Sequence, residues 1–148
     1  MKHSRQTPKR KHQTPEDGFT LVELLVVLGI IAMLAALVAP QVIRYLGQAR
    51  TDTASAQLKN VESALELYYL DNGQYPSKED GLAALVSAPV SAKSWRGPYL
   101  KRKDGLSDPW GKAFVYNIPG EKGQYDVFSL GRDGQPGGDG EDRDLTNW

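Results

Sequence analysis

The sequence contains no cysteine, so neither a disulfide nor a thiolate-bound metal can hold it together. Its only histidines, His3 and His12, stand near the N-terminus. Past residue 18 there is neither Cys nor His, which removes Cys–His nucleophile pairs, Ser-His-Asp triads and nearly all zinc sites. A carboxylate-only enzyme survives that exclusion. A further absence is local: residues 24–39 contain no charged side chain and no Asn, Gln, Ser or Thr. Written as a helix, residues 19–39 span roughly 30 Å at about 1.5 Å per residue, the thickness of a bilayer core.

The 148 residues leave room for one small domain beside that segment. Formal net charge is zero, yet it is unevenly spread. Residues 1–18 carry Lys2, Arg5, Lys9, Arg10 and Lys11 against Glu16 and Asp17, so the remainder is acidic. A basic leader before an apolar span stays in the cytoplasm and sends the chain beyond the span to the other side. The span is longer than the apolar core of a secretory signal, about 7–15 residues, and no small-residue cleavage site comes after it before Pro40. Glu23 alone interrupts the apolar character near its start. A carboxylate in that position is costly unless neutralised, which marks it as a functional candidate.

Beyond the span the helical period continues. Pro40 and Gly47 predict a local loosening. Ala54, Leu58, Val61, Leu65 and Tyr68 recur at spacings of three and four and define a core-facing stripe, with Lys59, Glu62 and Glu66 off it. Asp71-Asn72-Gly73 predicts the stop. Ser77 as N-cap, followed by Glu79 and Asp80, predicts a short helix over residues 77–86 with Leu82, Leu85 and Val86 inward. Residues 87–113 read as an ordered loop pinned by Trp95, Tyr99, Leu100 and Trp110. Two strands are expected at residues 113–118 and 125–130, joined by a Pro119-Gly120 turn. The fold class is α+β: a long N-terminal helix, half membrane-spanning and half amphipathic, packed on a small antiparallel sheet.

Residues 133–144 place Asp133, Asp139, Glu141, Asp142 and Asp144 among glycines. Hard oxygen ligands on a loose loop suit Ca²⁺, which takes about six to eight oxygens including backbone carbonyls. The spacing does not match an EF-hand, so on spacing alone a solvated loop that binds nothing is the stronger reading. Lys101-Arg102-Lys103 is the one basic cluster after the span and reads as a solvated loop tip, so no nucleic-acid partner is expected.

Gly18-Phe19-Thr20-Leu21-Val22-Glu23, placed before such an apolar run, resembles the processing site of type IV pilins and pseudopilins. Asp71-Asn72-Gly73-Gln74-Tyr75-Pro76, Trp95-Arg96-Gly97-Pro98-Tyr99-Leu100, Asp108-Pro109-Trp110-Gly111, Ser129-Leu130-Gly131 and the final Asn147-Trp148 extend this to the major-pseudopilin family of type II secretion. The resemblance implies a pilin-like fold. Residues 1–18 would be a leader removed by prepilin peptidase, which cuts between Gly18 and Phe19 and methylates Phe19. Residues 19–40 would be a transmembrane and assembly helix, and residues 41–148 a periplasmic domain. The chain would be a single-pass inner-membrane subunit that polymerises with itself and meets minor pseudopilins and the inner-membrane secretion platform. Glu23 would pair with the Phe19 ammonium of a neighbouring copy and set axial register.

The resemblance also favours calcium. It implies one structural Ca²⁺ held by the Leu130 carbonyl, Asp133, Asp142 and Asp144, with Gln135 adding a carbonyl. Arg143 separates two aspartates that are adjacent in some relatives, so Asp139 or Glu141 can stand in for one of them. Two other classes share parts of this pattern. A type IV or competence pilin has the same N-terminal features but normally carries a C-terminal disulfide loop. A membrane-anchored enzyme or sugar-binding domain would use Trp95, Tyr99 and Trp110 as a stacking platform.

Overall fold

A computed structural model describes residues 18–148, and it divides at Pro40 into two units. The leader expected at residues 1–18 lies outside the described residues except for Gly18.

Helix α1 (Leu21–Asn72) carries Pro40 inside it. The helix begins two residues later than the expected Phe19, because Thr20 is its N-cap. The first described unit ends at Pro40 and, from Leu21 on, is helix. Every large apolar side chain from Phe19 to Val38 is at least 46% exposed among the described residues.

Residues 41–148 form the second unit. Its core is the predicted stripe: Ala54, Leu58, Val61, Leu65 and Tyr68 are all buried, with Ala64 beside them. They pack with Leu82, Leu85, Phe114, Tyr125, Val127 and Leu145. Burying each Val, Leu or Phe of this set contributes about 1.5–3 kcal/mol. The sheet is antiparallel in the order β1 (Val115–Asn117), β2 (Asp126–Ser129), β3 (Leu145–Thr146), with Val115 opposite Phe128 and Ser129 opposite Leu145. Strands β1 and β2 are shorter than their expected ranges, and β3 was not expected. The Asp126 carboxylate holds the hairpin loop by accepting from the Glu121 N–H at 2.7 Å and the Lys122 N–H at 3.2 Å.

Of two further expectations, one needs revision and one is met in detail. Residues 77–86 do not form an α-helix; the element is a 3-10 turn, Gly81–Leu85. Ser77 does accept the Asp80 N–H at 3.1 Å, but Gly81 then takes φ +55°, a left-handed conformation that stops an α-helix before its second turn. The loop 87–113 is pinned as expected. The Trp95 indole donates to the Ala84 carbonyl at 2.8 Å, the Tyr99 hydroxyl donates to Asp71 at 2.8 Å, and Tyr68 and Tyr99 meet edge to face at 5.6 Å. These aromatics are loop anchors packed on the core, not an open platform.

Candidate functional sites: the helix end and the acidic loop

The start of α1 is built by four residues. Thr20-Leu21-Val22-Glu23 makes a reciprocal capping box: the Glu23 N–H donates to Thr20 Oγ1 at 3.2 Å, and Glu23 Oε2 accepts from the Thr20 N–H at 3.3 Å. The Thr20 hydroxyl also donates to Glu23 Oε2 at 3.3 Å. Two backbone donors that an apolar environment would leave unpaired are thereby satisfied. Gly18 and Phe19 lie before the helix, Phe19 exposed and Gly18 with no atom of the described residues near the place of a side chain. The structure thus gives Glu23 a role inside its own chain that the sequence reading missed. The Thr-x-x-Glu spacing ahead of an apolar run was the available signal.

The second site is the loop after β2. Its entry is braced from below. The buried Asp108 carboxylate accepts the Ser129 hydroxyl at 2.7 Å and the Lys112 N–H at 2.8 Å, and Lys112 Nζ donates to the Arg132 carbonyl at 2.6 Å. The Leu130 carbonyl accepts the Gly134 N–H at 3.1 Å, and Asp133 Oδ1 accepts the Gln135 N–H at 3.0 Å. These bonds turn the chain back on itself, and the backbone of Arg132 donates to the Glu141 carbonyl at 2.8 Å to close the loop.

The acidic side chains divide into two groups. Asp142 lies against Arg132, whose Nε and Nη2 reach its two oxygens at 2.9 and 3.0 Å. The hydrogen bonds that the guanidinium donates to that carboxylate push the Arg132 pKa above its usual value. Glu141 faces Trp110, Arg50 and Arg132. In the other group, Asp144 Oδ2 accepts the Gly137 N–H at 2.9 Å, while Asp144 Oδ1 is buried without any donor. Asp144 and Leu130 line one surface hollow with Phe128, Pro136 and Trp148. Asp133 and Asp139 are exposed, and Gln135 lies between them in the chain.

Among the described residues no group of three or more acidic or histidine side chains is gathered closely enough to hold a metal ion. The fit to Ca²⁺ therefore rests on the Asp144 half of the loop. A buried carboxylate oxygen with no donor is the kind of atom a cation satisfies, and neighbouring carbonyls can complete an oxygen shell. The sequence reading missed Arg132, Lys112 and Asp108. Arg132 was the detectable one, as the basic residue at the mouth of an acidic run.

Comparison with known proteins agrees with this architecture. Residues 41–148 match the family described as type II secretion system (T2SS), protein G, and residues 15–39 match the prokaryotic N-terminal methylation motif. The chain is 44% identical over 137 residues to the type II secretion system core protein G of Pseudomonas aeruginosa, covering 90% of this chain and 95% of that one. It is 41% identical to the protein of that name from Vibrio cholerae, over 93% of this chain and 95% of the relative. A crystal structure of the major pseudopilin from the type 2 secretion system of enterohaemorrhagic Escherichia coli superposes with a TM-score of 0.56 at 36% identity, covering 68% of this chain and 87% of that one. With the family match spanning the whole second unit and the relatives nearly the whole chain, this protein belongs to the type II secretion system protein G family of pseudopilins.

Proposed function

We propose that this chain is the major structural subunit of a type II secretion pseudopilus, assembled from the inner membrane to drive folded proteins across the outer membrane. The observation that carries the reading is the bare apolar helix. From Phe19 to Val38 its large side chains are exposed around the whole circumference, so something outside the chain must cover them. Lipid covers them before assembly, and copies of the same helix cover them in the filament. The basic leader keeps the N-terminus in the cytoplasm and directs residues 41–148 to the periplasm. The work is mechanical: the subunit packs, is drawn from the membrane and stacks, in company with minor pseudopilins and the inner-membrane platform. Catalysis has no part in it.

In this reading prepilin peptidase cuts between Gly18 and Phe19 and methylates Phe19. The methylation motif matched at residues 15–39 supports that step. The new ammonium is then a charge in an apolar setting, and Glu23 of a neighbouring copy is its counter-charge. To reach it, Glu23 exchanges the Thr20 contacts of its own cap for the neighbour's terminus. Only one stagger of the two helices brings those groups together, which gives the filament its register. Ca²⁺ is the proposed ligand of the acidic loop, held by Asp144, the Leu130 carbonyl and Asp133, with Gln135 supplying a carbonyl. When bound, it supplies positive charge that fixes the loop against the sheet, and it stabilises the fold by mass action.

Intact mass and N-terminal sequencing of the chain from its host's membranes test the reading. The expected product starts at methylated Phe19. A chain that keeps residues 1–18 where the peptidase is active would leave an anchored domain and no filament.

A further inference from the structure

Glu141 is the acidic loop residue that meets α1, its side chain only 17% exposed. Its Oε2 accepts the Trp110 indole N–H at 3.1 Å and lies 3.7 Å from Arg50 Nη1, while Oε1 lies 3.4 Å from Arg132 Nη1. The same side chain lies against α1 at Gly47. A Cβ on Gly47 would stand 2.8 Å from Glu141 Oε1 and 3.0 Å from its Cδ and Cγ. Glycine is a poor helix former, and this contact supplies a reason for it within a helix. Gly47 and Thr51 are buried, yet neither belongs to the apolar core, whose stripe starts at Ala54. A hollow shared by Gly47, Thr51, Gly140 and Glu141 marks where loop meets helix.

We infer that Glu141 is a positioning residue, a latch by which the C-terminal loop grips α1 at Gly47, with Arg132 and Asp142 bracing it. The two carboxylates of this half are served by protein donors: Trp110 and Arg50 for Glu141, and the Arg132 fork for Asp142 with a reach to Glu141. The Arg50 pair is half exposed and long, so solvent screens it. The weight falls on the indole hydrogen bond and on the fit over Gly47. The latch extends the domain's hold on α1 from Ala54 back to Gly47, two turns nearer the membrane segment. It does not depend on the proposed calcium, which belongs to the Asp144 half of the loop.

Hydrogen–deuterium exchange on the full chain in detergent tests this, using Glu141→Gln, Gly47→Ala and the parent, each with calcium and with a chelator. Glu141→Gln keeps the shape and removes the charge. It is expected to raise exchange about tenfold in residues 44–51 and 139–144, the scale of one charge-assisted hydrogen bond, and to leave residues 126–129 as they are. Gly47→Ala raises helix propensity, so propensity alone predicts slower exchange at residues 44–51; eviction of Glu141 predicts faster exchange at residues 139–144. A loop as protected in Gly47→Ala as in the parent overturns the latch. So does a chelator that releases residues 44–51 of the parent as fully as Glu141→Gln does. Chelation that alters residues 133–138 and leaves residues 44–51 protected supports the latch and the calcium reading together. Chelation that changes neither segment supports the latch and removes the calcium.

Discussion

Ser129 donates its hydroxyl to Asp108 Oδ2 at 2.7 Å, and both residues are buried. This one bond joins the end of β2 to the turn at Asp108-Pro109-Trp110-Gly111, twenty-one residues earlier. The other oxygen of Asp108 accepts the backbone N–H groups of Trp110 and Lys112. Replacing Asp108 by Ala leaves these donors without their acceptor, at about 1–3 kcal/mol for each buried unsatisfied group. Only the Ser129 hydroxyl is fully buried, the Trp110 and Lys112 N–H groups being part-buried and within reach of water. One such penalty, at about 4–8 °C in melting temperature per kcal/mol for a domain of about 100 residues, gives an expected fall of roughly ten degrees in a thermal melt of the full chain. A melt superimposable on the parent's would show that water replaces the carboxylate.

Glu23→Ala and Glu23→Gln separate two roles at the helix start. Alanine removes both the cap and the charge. Glutamine keeps an oxygen that can accept from Thr20 and removes only the charge. Both variants are expected to be cut after Gly18 and to fail in filament assembly and secretion. Normal secretion by Glu23→Gln would reduce Glu23 to a cap and end the charge-pairing account of register.

Calcium is expected to raise the melting temperature of the full chain, by the equivalent of about 2.7 kcal/mol at roughly a hundredfold excess over the dissociation constant. Asp144→Asn should abolish that increment, since it removes the charge next to the buried, donor-free oxygen. Identical melting curves with calcium and with a chelator would remove the ion from the loop.

The tyrosine cluster beside α1 predicts an alkaline limit. Glu66 Oε1 accepts the Tyr75 hydroxyl at 3.0 Å and the Tyr125 hydroxyl at 3.3 Å. Burial, then the Glu66 carboxylate, pushes the Tyr75 pKa up to about 12. An unfolded tyrosine titrates near 10, so between those values the folded chain holds a proton that the unfolded chain has lost. The stabilisation is whole below about pH 10 and is lost as pH rises through about 12. Denaturant titrations across that window should show stability falling, and Tyr75→Phe should flatten the fall. An equal slope in the variant would assign the decline to other groups, Tyr125 first, whose pKa burial also raises.

The legible part of the chain was the part that repeats. Ala54, Leu58, Val61, Leu65 and Tyr68 carry the helical period for four turns, and each one is buried. The apolar run and the Gly18-Phe19 motif are equally local. The misses are places where a few residues depend on distant ones. Strand β3 is two residues long, too short for any alternation to register, and exists because Ser129 stands opposite Leu145. The turn at Gly81–Leu85 carried the capping serine and the apolar side of a helix, and a single left-handed glycine decided otherwise. The Arg132–Asp142 fork spans ten residues: the sequence shows a basic residue at the mouth of an acidic run, but only the closed loop decides which carboxylate it takes.

The capping box fixes a boundary as well as a charge. Both of its residues lie on the far side of the proposed cut. A peptidase needs its scissile bond in extended, accessible backbone. Helix α1 stops short of that bond, with Thr20 as the barrier that keeps the coil from winding back over Phe19 and Gly18. If the proposed cut is made there, the same four residues serve two clients in succession: they leave the scissile bond unwound, and they hand over a finished helix afterwards.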